Sequence, residues 1–223
     1  MSKLPAYSVV IPAFNATVFI AETIASVMAQ THLPEKIIVV DDGSTDDLPA
    51  ALAGLNAPLS LFRQENSGPG SATTFGFAQA ATEFVATLDA DDLWQPDKIA
   101  QQFAAFDLDV GMVFTRMTSF GSNTNAAQTN EAHSGWSRST LLMRRHTFQK
   151  IGPIEDMPGY RGEMVEWLAK ARALGIKMHM LESPLVQRRL HAGSLSWGRA
   201  AGQDKGYMEI VLRAMRRRKE TGQ

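Results

Sequence analysis

The stretch Ile37-Ile38-Val39-Val40-Asp41-Asp42-Gly43-Ser44-Thr45-Asp46 decides the fold class. Its β-branched residues run on with no polar alternate, the pattern of a parallel strand covered on both faces. The run stops on acids and an Asp-Gly turn. Working outward, Val18–Ala29 places Val18, Ala21, Ile24, Ala25 and Met28 on one helical face. Before it, Ser8–Ile11 is a second β-branched run, stopped by Pro12. Downstream come a short helix over Leu48–Ala53, a strand at Ser60–Phe62, a helix over Gly70–Ala81 and a strand at Phe84–Leu88 that ends on Asp89. The alternation predicts an α/β fold with a mostly parallel sheet and right-handed crossovers.

The second half is less regular. A helix from Pro96 to about Phe106 leads into an apolar strand, Val110–Thr115. Phe120–Trp136 is polar and without period, which marks a functional loop or disorder. Ser139–Met143 reads as a strand and Glu163–Leu174 as a helix stopped by Gly175. Lys177–Leu181 and Leu185–Arg189 read as two short strands, and the tail from about Gln203 as a helix with Met208, Val211, Leu212 and Met215 on one side.

Composition narrows the function. The chain has 223 residues, 44% of them hydrophobic, enough for one packed domain. Its 22 basic and 23 acidic residues leave a net charge of −1, so nothing calls for nucleic acid as a partner. The absence of cysteine excludes disulfides, thiolate zinc sites and a Cys nucleophile, and fits a reducing cytosol. No apolar leader follows Met1, and no run approaches the roughly 18 apolar residues of a membrane span. A soluble cytoplasmic protein is expected.

Three strand ends carry chemistry: Pro12-Ala13-Phe14-Asn15, Asp41-Asp42-Gly43-Ser44 and Asp89-Ala90-Asp91-Asp92. Ligands of open α/β sheets bind beyond such carboxyl ends. Gathering acids there is costly unless a hard cation or hydrogen-bond donors meet them, and Mg²⁺ or Mn²⁺ on phosphate oxygens would do so. The plainer reading is that acids cap helices and Asp-Gly makes turns.

Four blocks in order make the pattern specific: Val9-Val10-Ile11-Pro12-Ala13-Phe14-Asn15, Ser26-Val27-Met28-Ala29-Gln30-Thr31, Val39 to Asp46, and Leu88-Asp89-Ala90-Asp91-Asp92-Leu93-Trp94-Gln95-Pro96-Asp97-Lys98. With Gly162-Glu163-Met164-Val165-Glu166-Trp167 further on, the chain resembles the inverting family 2 glycosyltransferases of GT-A fold over about residues 7–195. The resemblance implies one Rossmann-like domain with a mixed, mostly parallel sheet flanked by helices. Its nucleotide-binding half is about 7–95, its acceptor half 96–195, and a basic helical tail covers 196–223.

The resemblance further implies that Pro12, Phe14 and Asn15 line the nucleotide pocket, together with Ser44, Gly68 and Ala90, and that Asp42 hydrogen-bonds the base. Asp89 and Asp91 match the family's Asp-X-Asp motif. Asp91 would hold the metal, Asp89 would face the ribose or the ion, and Asp92 would support them. The donor would be a nucleotide diphosphate sugar, uridine-linked, and the acceptor a glycan, a lipid-linked molecule or a small molecule. A general base must take the acceptor's proton. The family's Glu-Asp pair reads Glu163-Met164 here, which leaves Glu163, or Glu166 one turn on. An Arg-Asn pair of many relatives reads Thr73-Thr74, so Arg188, Arg189 and His191 become candidates for the diphosphate and metal. Trp136 is a candidate acceptor contact. The tail residues Arg213, Arg216, Arg217, Arg218 and Lys219 read either as peripheral membrane contact or as a solvated helix end. Two rival functions are a module that binds a nucleotide sugar without turnover and a nucleotidyltransferase. The second lacks its Gly-rich, basic phosphate loop.

Overall fold

A computed structural model describes residues 4–121, 131–157 and 162–194. Eight strands form one sheet in the order β3-β2-β1-β4-β7-β6-β8-β5. They are β1 (Tyr7–Ala13), β2 (Lys36–Asp41), β3 (Leu59–Arg63), β4 (Phe84–Thr87), β5 (Leu93–Trp94), β6 (Val110–Gly121), β7 (Leu142–Arg144) and β8 (Lys177–Leu190). The helices are α1 (Ile20–Met28), α2 (Leu48–Leu52), α3 (Pro69–Gln79), α4 (Lys98–Ala104), α5 (Arg145–Ile151) and α6 (Glu163–Ala173). Strands β1 to β4 pair in parallel, as do β6 and β8. Strand β7 runs against both β4 and β6, and β5 runs against β8. The sheet is therefore mixed and mostly parallel, the expected α/β class.

The apolar runs divide by parity. Val9, Ile11, Ile37 and Val39 pack on the face covered by Ile20, Ile24, Leu48 and Phe103. Val10, Ile38 and Val40 pack on the other, under Ala72, Phe77, Trp167 and Leu168. Each such side chain, fully buried, contributes about 1.5–3 kcal/mol. Gly76 lets α3 approach the sheet, because a Cβ there would collide with Val10.

Several elements differ from the sequence reading. Strand β1 passes through Pro12 to Ala13. Val10 O accepts from Leu88 N on the β4 side, so Pro12 aims its missing donor to that same side, beyond the last rung at Val10–Thr87. Lys177–Leu190 is one strand rather than two. Pro184 falls at a register shift against Arg116, where a bulge tolerates it. Ser139–Met143 begins as a 3₁₀ turn over Arg138–Thr140 before β7. Helix α5 and the two-residue β5 carry no period to read. Phe120 and Gly121 extend β6, and Met117 and His133 form an isolated antiparallel bridge. No helix among the described residues is long and apolar enough to cross a membrane. The basic tail lies outside the described residues.

Candidate active site

A cleft of about 800 Å³ opens beyond the carboxyl ends of β1, β2 and β4. Pro12, Phe14 and Asn15 form part of its wall. Asn15 has φ 51°, a left-handed conformation that Asn tolerates better than most side chains. Two contacts hold it there. Its N–H donates to Ser44 Oγ (2.9 Å), and its Oδ1 accepts from Thr45 N (2.8 Å). Ser44 is buried and acts on the wall through Asn15.

Asp42 lines the same cleft, and its carboxylate braces the loop before α3. It accepts from Gln64 Nε2 (2.7 Å), Ser67 N (2.9 Å) and Gly68 N (2.8 Å). Three of about four lone-pair sites are thus used, and one acceptor position remains. Gly68 caps α3 at φ 98°, a conformation that favours glycine. Asp41 serves the fold, accepting from Ser44 N (2.7 Å) and pairing with Arg63 Nη1 (2.5 Å).

The three acids after β4 take three different partners. Asp92 is buried and accepts from Ser139 Oγ (2.6 Å) and Arg189 N (2.9 Å). Burial, then the charges of Asp91 and Asp89, push its carboxyl well above the usual range. Asp91 meets His191 Nε2 at 2.9 Å, and both are partly open to the cleft. Burial, then the charge of Asp89, raises Asp91. Asp89 pairs with Arg138 Nε at 2.8 Å. Ala90, beside it, also lines the cleft.

This cluster has the chemistry of a divalent-cation site. A carboxylate oxygen and an imidazole nitrogen side by side suit Mn²⁺. Among the described residues no group of three or more His, Asp or Glu is gathered for an ion. Asp91 and His191 would therefore supply two ligands, and phosphate oxygens and water the rest. Arg188 and Arg189 both reach the cleft wall. Arg189 is largely committed: Nη2 pairs with Glu22 (2.6 Å), Nε donates to Asp91 O (2.9 Å), and its guanidinium lies 4.5 Å from the centre of the Phe120 ring.

On the opposite wall, Gly162 turns at φ 87° and starts α6, whose first residue is Glu163. Glu163, Met164 and Val165 face the cleft. Glu166 is buried on the same helix and is not part of that wall. Glu163 Oε1 accepts from Arg138 Nη1 at 2.5 Å. Arg138 therefore joins the two walls, with Asp89 at one end of its guanidinium and Glu163 at the other. Burial works against its charge, but the two carboxylates outweigh it and hold the guanidinium protonated above its ordinary value. Sequence reasoning missed this residue, since Ser137-Arg138-Ser139-Thr140 carries no recognisable chemical signature.

Other side chains beside the motifs have partners within the fold. Thr73 Oγ1 donates to Pro69 O (2.6 Å), and Thr74 Oγ1 accepts from Ile154 N (2.9 Å). Trp94 and Trp167 are buried, with their indole N–H groups on Ser139 O and Gly152 O. Trp136 lines the cleft, but its ring packs on Phe114, and the guanidinium of Arg172 lies 5.4 Å from its centre.

Comparison with known proteins places the chain in a family. The sequence pattern of glycosyl transferase family 2 matches residues 8–168. An uncharacterized glycosyltransferase of Rickettsia conorii is 33% identical over 130 residues, which are 57% of this chain and 21% of that protein. The chain thus spans about a fifth of that relative's length. Among solved structures, S. aureus TarS (residues 1-349) in complex with UDP-GlcNAc matches with TM-score 0.72 and 20% identity, over 92% of this chain and 64% of that one. The mannosyltransferase PcManGT of Pyrobaculum calidifontis, in complex with GDP-Man and Mn²⁺, matches with TM-score 0.69 and 20% identity, over 96% and 65%. At that identity the likeness is one of fold, the GT-A arrangement expected from the sequence.

Proposed function

This chain belongs to glycosyl transferase family 2, and we propose that it transfers a sugar from a uridine diphosphate donor to an acceptor hydroxyl, with inversion and with Mn²⁺ or Mg²⁺. The observation that carries this reading is one cleft with the Asp91–His191 pair on one wall and Glu163 on the other. Asp91 and His191 would hold the ion. Bound there, it would stabilise negative charge on the leaving nucleoside diphosphate. Asp42 keeps one acceptor position, which suits the imide N–H of uracil. Glu163 takes the proton of the acceptor hydroxyl as that oxygen bonds to the anomeric carbon. The bond from that carbon to the diphosphate breaks on the far side, and the diphosphate leaves with the electron pair.

Two proteins of this fold were solved with nucleotide sugars, one of them with Mn²⁺. That supports the donor class. The acceptor is a hydroxyl on a glycan, a lipid-linked molecule or a small molecule. The test is calorimetry of UDP binding with Mn²⁺ and then with a chelator. Loss of most affinity on chelation is expected. Equal affinity in both would remove the metal from the proposal, and absence of nucleotide binding would remove the function.

A further inference from the structure

Arg138 is the buried charge that the proposed chemistry has not yet used. Its side chain is 10% exposed, and its guanidinium spans Asp89 Oδ1 (2.8 Å) and Glu163 Oε1 (2.5 Å). The turn beneath it is fixed to an unusual degree. Its three successive carbonyls, of Arg138, Ser139 and Thr140, accept from Thr87 Oγ1 (2.5 Å), Trp94 Nε1 (2.7 Å) and Gln102 Nε2 (2.8 Å). These donors come from the end of β4, from β5 and from α4. The Ser139 hydroxyl is tied to Asp92. The guanidinium thus stands on a base that cannot shift without breaking contacts to three elements.

We propose that Arg138 is a positioning residue: it holds Glu163 in the geometry of a general base and sets its distance from the aspartates of the donor wall. This rests on the reading of Glu163 as the base. Stability is a weak reason for such a triad, because desolvating three charges offsets most of their attraction. Geometry is a stronger one. A planar guanidinium engages two carboxylates in fixed directions, which an ammonium cannot do. Arg138 takes Oε1 of Glu163 and leaves the second oxygen for a proton. A glutamate otherwise free to sample several rotamers is thereby oriented before the acceptor arrives, and orientation of that kind lowers the barrier to the chemical step.

The experiment uses the full chain with Mn²⁺ and a panel of UDP-glucose, UDP-galactose and UDP-N-acetylglucosamine. Water stands in for the acceptor, and kcat and donor KM are read for hydrolysis. Arg138→Met is expected to lower kcat about 10²-fold with donor KM within about threefold. Arg138→Lys, which keeps the charge should the Met variant fail to fold, is expected to lower kcat about tenfold, again with KM held. In the Glu163→Gln background, Arg138→Lys should change kcat less than about twofold, since residues acting as a unit are not additive. A raised KM with intact kcat would overturn the proposal and make Arg138 a donor contact. A further tenfold loss in the Glu163→Gln background would overturn it by showing action independent of Glu163. Full turnover in Glu163→Gln alone would overturn the base assignment itself, and the clamp with it.

Discussion

Two regions of the cleft are built on opposite plans. The nucleotide wall, in the loops after β1 and β2, is held by side-chain oxygens that accept from main-chain N–H groups. Asn15 rests on Ser44 and Thr45, and Asp42 on the N–H groups of Ser67 and Gly68. The acids after β4 and the Glu163 side, which Arg138 joins, close instead through side-chain pairs. Arg138 reaches Asp89 across 49 positions, and His191 reaches Asp91 across 100. A wall anchored on main-chain N–H groups has one partner of each contact fixed by the fold. A wall made of side-chain pairs depends on each partner, so single substitutions there should cut chemistry most sharply.

The largest expected effect is at Glu163. Glu163→Gln keeps the shape and removes the proton acceptor, so turnover should fall about 10²–10⁴-fold while donor affinity stays near wild type. Glu166→Gln should leave both near wild type, because Glu166 stands outside the cleft wall. Loss of turnover only in the Glu166 variant would move the base one turn along α6. Bound metal and donor with no turnover in the wild type would favour the module that binds without catalysis.

Asp91 comes next. Asp91→Ala should weaken UDP binding in Mn²⁺ about 10–100-fold and match the effect of a chelator on the wild type. Asp92→Ala should do less, since Asp92 touches Ser139 and Arg189 instead. Equal losses in the two variants, read by calorimetry, would show that the acids act as one cluster and that the division between them is wrong.

The same contrast explains what the sequence could tell. Strands β1 to β4 are legible because each is a local run of apolar residues that ends on a polar signal. The acids are legible because they sit at those ends. Arg138 is not, since its role arises from a tertiary contact with Glu163 that no spacing records. Helix α5 buries only Thr147 and Ile151, too few for a stripe. Strand β8 looked like two because a proline at a bulge resembles a stop. Ser44 reads from the sequence as a pocket residue, yet it is buried and its hydroxyl accepts from Asn15 N.

Asp42 tests the nucleotide wall. Asp42→Asn puts an amide NH₂ among the donors Gln64 Nε2, Ser67 N and Gly68 N, and one of them must lose its acceptor. The loss should be about 1–3 kcal/mol in UDP affinity, measured by calorimetry. Unchanged binding of UDP and of GDP would take Asp42 out of base recognition and leave it as a loop brace.

The smallest effect on UDP binding lies under the Arg138 turn, at Lys98, which acts on stability. This side chain is fully buried, with Nζ 2.7 Å from Gln102 Oε1 and 4.0 Å from the centre of the Trp94 ring. Gln102 in turn supports the Arg138 turn through Thr140 O. Burial lowers the ammonium well below its usual 10.5. Between that lowered value and 10.5 the unfolded chain binds the extra proton and the folded chain does not. Stability should therefore rise with pH through the window, by at most about 1.4 kcal/mol per pH unit. Lys98→Met has no proton to lose there. Thermal melts from pH 7 to 10 should show the wild type gaining on the variant as pH rises, by about 2–4 °C for each kcal/mol. UDP affinity should not change, because the nucleotide wall does not lean on this residue. A gap that stays constant with pH would mean that Lys98 keeps its proton in the fold. A loss of UDP affinity in the variant would mean that the two regions are not separate constructions.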